Sequence, residues 1–301
     1  MLSSISHKRL TDNVVHSLKK KKINSILDLM NLDNGVIERY TSLTFQEIIE
    51  LKKDLSKTYS APPITGYTCY QKLMSHSHSA LISTGYPKLD DLLDGGFYTG
   101  TIYEFCALPD CNRLKFTLTL LRNIMCNNNS IHVGILDTNR QYSASLMKTI
   151  LSKKKTEEEC WNLLKNISVK HISNKYMLIS ELFNIKKQLE NGELCADIIV
   201  IHTIPSLFLG TKDVTERNHM LNHLANILRY IANEHNVVFI LTNLITTWNK
   251  GSFQDHQETG EKVACGKYWQ TVPDVRVRIN RMALDEHECI LLKSNTISIY
   301  E

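Results

Sequence analysis

Tyr103-Glu-Phe-Cys-Ala-Leu-Pro-Asp-Cys-Asn-Arg-Leu-Lys-Phe116 decides how this 301-residue chain is read. The stretch has the pattern of a strand, a turn and the start of a helix, the layout of a loop that wraps a triphosphate. Such a loop reads Gly-x-x-x-x-Gly-Lys-Ser/Thr, because backbone amides close on phosphate oxygens only where glycines remove the side chains. Here the four diagnostic positions are Ala107, Asn112, Arg113 and Leu114. The scaffold is present and its chemistry is replaced. The following helix keeps its apolar side, since Leu114, Leu118, Leu121 and Met125 recur at helical spacing.

Around this stretch the pattern alternates. Strands are predicted over 102–106, 131–137, 167–171, 197–202 and 237–243, and helices over 113–126, 142–151, 156–165, 177–190 and 215–234. Alternation of this kind implies βαβ units, hence an α/β fold with a mostly parallel central sheet and helices on both faces. Ile198-Ile-Val-Ile201 and Val237-Val-Phe-Ile-Leu241 are continuously apolar, as central strands covered on both faces must be. Val275, Val277 and Ile279 instead alternate with Arg276, Arg278 and Asn280. With 288–293 and 296–300 they read as an antiparallel extension with one wet face.

The N-terminal residues differ. Leu10, Val14, Val15 and Leu18 share one helical face, and Ile23, Ile26, Leu27 and Met30 repeat the pattern beyond Lys19-Lys-Lys-Lys22. A third helix is expected to open at Thr44-Phe-Gln-Glu47, which has the spacing of a capping box. Residues 1–58 thus form a small all-α domain, 59–80 a linker containing Ala61-Pro-Pro63 and His76-Ser-His78, and 81–301 the α/β core. The two linker histidines lack a third metal ligand nearby and read as an exposed polar loop. No internal repeat is visible.

Composition sets bounds. The 43% hydrophobic content supports a sizeable core. No window approaches the ~18 uncharged apolar residues of a membrane span, and the basic N-terminus lacks an apolar signal core, so an intracellular, membrane-free address is expected. The eight cysteines show no C-x-x-C pair and read as small buried hydrophobes, with neither a zinc site nor a disulfide framework indicated. A formal charge of +4 permits a nucleic-acid partner without requiring one.

Leu81-Ile-Ser-Thr-Gly-Tyr-Pro-Lys-Leu-Asp-Asp-Leu-Leu-Asp-Gly-Gly-Phe-Tyr-Thr-Gly100 resembles the segment that precedes the phosphate loop in RecA-family recombinases. Leu241-Thr-Asn-Leu-Ile-Thr246 is similar to the strand leading into that family's second DNA loop, and Ala264-Cys-Gly-Lys-Tyr-Trp269 to the motif closing it. With Leu10-Thr-Asp, Asp28-Leu-Met and Tyr59-Ser-Ala-Pro, the chain resembles the D-type paralogues of the eukaryotic strand-exchange recombinase. The resemblance implies a helix-hairpin-helix-like N-terminal domain, a RecA-like core, and a nuclear role in homologous-recombination repair. It also implies a complex with other paralogues, of the C-type and the X-ray-cross-complementing type, acting on single-stranded or branched DNA.

Against that family the departures gather at the nucleotide site. The magnesium-linked aspartate expected after Ile198-Ile-Val-Ile201 is His202, and an imidazole does not replace a carboxylate on a hard cation. The water-activating glutamate expected after Asp137-Thr138 is Asn139, which is no general base. Asp110, inside the cradle, would repel a phosphate oxygen by about 4 kcal/mol at ~4 Å and an effective dielectric near 20. Leu114 removes the hydroxyl that touches magnesium. Arg113 is left either as a weak phosphate anchor or, as the plainer reading, as the cap of a salt bridge over a collapsed loop. ATP and magnesium are therefore expected to be absent as working cofactors, and no metal site is expected.

Other surfaces follow from the resemblance. In the family the linker adds a strand to a neighbour's sheet and inserts an aromatic ring, for which Tyr59, Tyr67 and Tyr70 are candidates, with packing on their own domain as the alternative. Residues 246–267 occupy the place of the second DNA loop, but Lys250, Lys262 and Lys267 are offset by Asp255, Glu258 and Glu261, and a solvated loop is the plainer reading. Lys19, Lys20, Lys21 and Lys22, and the Arg276/Arg278 face, are the other candidate phosphate contacts. The expected function is a non-catalytic paralogue that supports recombinase filaments on single-stranded DNA. The rivals are a DNA-stimulated ATPase of the same family and a stand-alone DNA-binding module.

Overall fold

A computed structural model describes residues 7–59, 65–68, 81–208, 210–211, 213–249, 259–283 and 286–295. The chain divides into two compact units, Met1–His76 and Ser77–Glu301.

The first unit is helical: Asp12–Lys20, Ile26–Asn31, Asn34–Tyr40 and Phe45–Tyr59. Leu10, Leu18, Leu29, Ile37, Ile48 and Leu51 are fully buried together at its centre. The anticipated capping box forms: Glu47 accepts from the Thr44 amide at 2.9 Å, and the Thr44 hydroxyl meets the Glu47 amide at 3.4 Å. That helix is the fourth, not the third. Asn34–Tyr40 precedes it, opened by Asp33, whose carboxylate accepts from the Gly35 amide at 2.9 Å. Only one hydrophobe of this short helix, Ile37, is buried, so it left little periodicity to read.

The second unit is built on β3 (Ile102–Ala107), β4 (Val133–Asp137), β5 (Ile167–His171), β6 (Ile198–His202), β7 (Val238–Asn249), β8 (Thr259–Val263), β9 (Val275–Ala283) and β10 (Glu286–Ser294). A separate antiparallel pair, β1 (Leu81–Ile82) and β2 (Phe97–Tyr98), precedes them. The large sheet runs β10-β9-β3-β7-β6-β4-β5, with β8 on the far end of β7. Every neighbour contact from β9 to β5 is parallel. Helices Arg113–Asn127 and Ala144–Leu151 cover one face, and Lys175–Glu190 and Val214–His235 the other. β3 and β6 are buried along their whole length, as two-sided burial of continuous apolar runs requires.

Two expectations need correction. β9 joins the sheet parallel to β3, and only β10 turns back antiparallel, so the supposed extension continues the parallel sheet by one strand. Its arginine face is not wet throughout: Arg276 is 5% exposed. Second, β7 runs past residue 243 and pairs with β8 from Ile245↔Val263 to Asn249↔Thr259, so the described ends of the 246–267 segment form a hairpin. The strand expected over 296–300 lies outside the described residues.

Candidate functional site

Parallel strands deliver their C-terminal ends to one edge of the sheet, which is where α/β folds place sites. At that edge β3 ends in Ala107, β4 in Asp137 and β6 in His202.

The turn after β3 is closed on itself. The Cys111 amide donates to Leu108 O at 3.2 Å and the Arg113 amide to Cys111 O at 2.9 Å. Asn112 opens the helix, its side chain accepting from the Lys115 amide at 3.0 Å. Arg113 folds back over the turn, donating from one terminal nitrogen to Leu108 O at 3.0 Å and Ala107 O at 3.4 Å. Its Nε is buried with no hydrogen-bond partner, and burial lowers its pKa. The cap on the collapsed loop is thus made by hydrogen bonds to carbonyls rather than by a salt bridge. Leu114 packs partly buried against the core. Asp110 is exposed at the tip of the turn, so water screens it and the ~4 kcal/mol repulsion expected of a carboxylate inside a cradle is too large.

His202 is 3% exposed and lies opposite Asp137 in the β4–β6 register. Its Nδ1 is 2.9 Å from Thr242 Oγ1 and its Nε2 3.3 Å from Gln141 Oε1. Gln141 Oε1 accepts only, so the network assigns the proton to Nε2 and leaves Nδ1 to accept from the threonine hydroxyl. Burial pushes the His202 pKa down to about 4, opposed by the Asp137 carboxylate and reinforced by the Arg113 charge. At neutral pH the ring is uncharged. Asp137 is fully buried, and both its oxygens are engaged, by the Asn139 amide at 3.1 Å and the Tyr142 amide at 2.8 Å. His171 Nδ1 stands 3.6 Å from it. The Asn139 side chain itself is exposed. Among the described residues no group of three His, Cys, Asp or Glu side chains is placed to hold a metal ion.

A second cluster, centred on the middle of β3, was not foreseen. Glu104, fully buried on β3, accepts from Asn243 Nδ2 and Trp269 Nε1, each at 2.7 Å, through one oxygen, and from Arg276 Nε through the other. Arg276 also donates to Gln270 O at 3.2 Å and Trp269 O at 3.4 Å. The Asn243 and Trp269 of the two quoted motifs therefore converge on one carboxylate, which ties the base of the β7–β8 hairpin to the central strand. Arg276 is consumed in this cluster and is no phosphate contact. Arg278 forks onto Glu261 of β8 and donates to Asn280 Oδ1 at 2.7 Å.

The remaining candidates are scattered. Lys262 and Lys267 are exposed, and Lys250 lies outside the described residues. Lys19 and Lys20 end the helix Asp12–Lys20, where positive charge suits the helix dipole, and Lys21 sits 5.0 Å over the Tyr40 ring. Lys22 is exposed. Tyr59 closes the fourth helix rather than opening the linker, and it and Tyr67 are exposed. Tyr70 and the two linker histidines fall outside the described residues.

Comparison with known proteins agrees with this architecture. The family model described as Rad51 matches residues 76–301. DNA repair protein RAD51 homolog 4 of Mus musculus is 24% identical over 281 residues, covering 90% of this chain and 82% of the relative. DNA repair protein RAD51 homolog 2 of Mus musculus is 23% identical over 261 residues, covering 81% and 73%. Probable DNA repair protein RAD51 homolog 4 of Dictyostelium discoideum is 22% identical over 292 residues, covering 83% and 79%.

Proposed function

Because the chain belongs to the Rad51 family, we propose that it is a recombinase paralogue of DNA repair that has given up nucleotide chemistry and serves as an assembly subunit. The observation that carries this reading is Arg113, whose guanidinium bonds the carbonyls of its own turn. A phosphate loop offers amides inward to an anion. Here the Cys111 and Arg113 amides are satisfied within the turn. A bound triphosphate would need the arginine displaced and the turn rebuilt. Magnesium fares no better, since His202 is buried and neutral, and Asp137 holds backbone amides with both oxygens. The residues present do not fit ATP and magnesium.

Assembly has separate support. Among the described residues β5 is an edge strand of the large sheet, with Val169 exposed on it, and an open edge is a template for an incoming strand. Exposed Tyr59 and Tyr67 are the aromatic groups to pair with a neighbour's sheet in return. On this reading the partners are other recombinase paralogues, of the C-type and X-ray-cross-complementing type, gathered on single-stranded or branched DNA, and the site of action is the nucleus. No helix among the described residues is long and apolar enough to cross a membrane.

The test is phosphate release from ATP by the purified full chain, with and without single-stranded DNA, together with capture of paralogues by the tagged chain. The expected result is no turnover and stable co-purification. DNA-stimulated turnover that Arg113→Ala abolishes would replace this reading by that of an active ATPase.

A further inference from the structure

The geometry points to a basic groove on the sheet unit, running along the outer side of the helix that follows the collapsed turn, as a binding site for single-stranded nucleic acid held at its phosphates and stacked through its bases. The assignment gives the paralogue a nucleic-acid contact of its own and rests on that reading.

One wall is set by Ser83-Thr84-Gly85. Gly85 has φ +73°, and a Cβ there would fall 2.8 Å from Asn123 Cβ, so only glycine lets this segment lie against the helix Arg113–Asn127. Asp90 pins it, accepting from the Thr84 amide and the Ser83 hydroxyl, each at 2.7 Å. The next residues, Tyr86 and Lys88, thereby line the groove. The facing wall is the outer side of the same helix, where Lys115, Thr119 and Arg122 follow at helical spacing over about 10 Å. Lys153, His287 of β10 and Phe116, whose ring meets His287 edge-on at 5.5 Å, also line the groove. The wider part holds about 720 Å³.

Among the described residues, Lys88, Lys115, Arg122 and Lys153 face this space together with the carboxylate of Glu288. Arg122 donates to the neutral Asn123 Oδ1 at 2.8 and 3.1 Å. Among the described residues no carboxylate lies within ion-pair distance of Lys88, Arg122 or Lys153, whereas nearby Lys148 and Lys155 are paired with Glu157 and Glu159. Lys88, Arg122 and Lys153 thus concentrate positive charge at the groove without an ion-paired carboxylate among the described residues. Aromatic faces interleaved with cations suit unpaired bases on a phosphodiester chain, each stacked base adding to a charge-driven grip. An acidic polypeptide would use the cations and leave Tyr86, 36% exposed, without a stacking partner. The four cations lie between positions 88 and 153, so no contiguous basic run announces them in the sequence.

The experiment is fluorescence anisotropy of labelled oligothymidylate titrated with the full chain across a salt series. Each phosphate neutralised on a single strand contributes about −0.7 to the slope of log K against log salt. Arg122→Gln with Lys153→Gln should therefore flatten the slope by about 1.4 while leaving the thermal midpoint at the parent value. Lys88→Gln with Lys153→Gln should do the same, as a second pair in case the first misfolds. Tyr86→Ala should weaken oligothymidylate roughly tenfold and leave inorganic polyphosphate binding unchanged, because stacking needs bases. The proposal is overturned if the parent chain binds no oligonucleotide, or if both double variants keep its slope and affinity. It is equally overturned if they lose capture of an acidic protein while oligonucleotide binding stands. Paralogue capture is measured in parallel, so the groove can fail while the assembly reading survives.

Discussion

Acidification to pH 5 will weaken the sheet unit through His202, and by a calculable amount. The ring is 3% exposed, and its folded pKa, about 4, lies below the ordinary value of 6.5. The unfolded chain therefore takes up the proton first. The neutral ring's contribution is fully present above about pH 6.5 and is lost as pH falls from there toward 4. A gap of about two and a half pKa units corresponds to about 3 kcal/mol over the whole window, of which about 2 kcal/mol falls between pH 7 and pH 5. That is a large share of the 5–15 kcal/mol typical of a folded domain. Urea unfolding at pH 7, 6 and 5 measures it, with His202→Asn as the comparison, since asparagine keeps an acceptor toward Thr242 but does not titrate. The other histidines are common to both chains and cancel. The parent should lose about 2 kcal/mol more than the variant between pH 7 and pH 5. Equal losses would refute the reasoning, because they would mean that His202 is hydrated or that the fold admits its charged form.

Other substitutions test other parts. Glu104→Ala strands the Arg276 charge in a buried cluster and should cost about 3–5 kcal/mol in thermal or urea unfolding; a cost under about 1 kcal/mol would mean water reaches the site. Thr44→Ala removes half of a formed capping box and should cost the helical unit about 1 kcal/mol, read by circular dichroism melting; an unchanged melt would show that the cap contributes nothing. Restoring the last three diagnostic positions of the loop by Asn112→Gly, Arg113→Lys and Leu114→Thr together should yield no ATP turnover while His202 and Asn139 remain. Phosphate release above the protein-free blank would sink that expectation.

What could be read from sequence tracks how local each cause is. Burial on both faces forces Ile198–Ile201 and Val238–Leu241 to be apolar without alternation, so the central strands were visible. The capping box at Thr44 and Glu47 is a four-residue device and was visible too. The pairing of β9 with β3 was not, because a strand's neighbour is chosen by distant chain, and alternating valine and arginine looks the same beside either partner. Arg276 was taken for a wet-face cation because its counter-charge stands 172 residues away. Glu104 could have been suspected: a carboxylate inside an otherwise apolar strand needs a buried partner. At the degenerate site the loss of glycine, lysine and acidic residues was legible residue by residue. That Arg113 would turn back onto its own carbonyls was not, because backbone oxygens leave no trace in composition.

The back-folded arginine also bears on timing. In a motor-like subunit the arrival and departure of phosphate mark off a cycle, and neighbours hold or release according to its phase. A turn filled by a side chain of the same polypeptide has a tenant that never leaves. On the proposed reading such a subunit has no clock of its own, so a complex built around it would take its rhythm from the neighbours, with this chain as the fixed post against which they move.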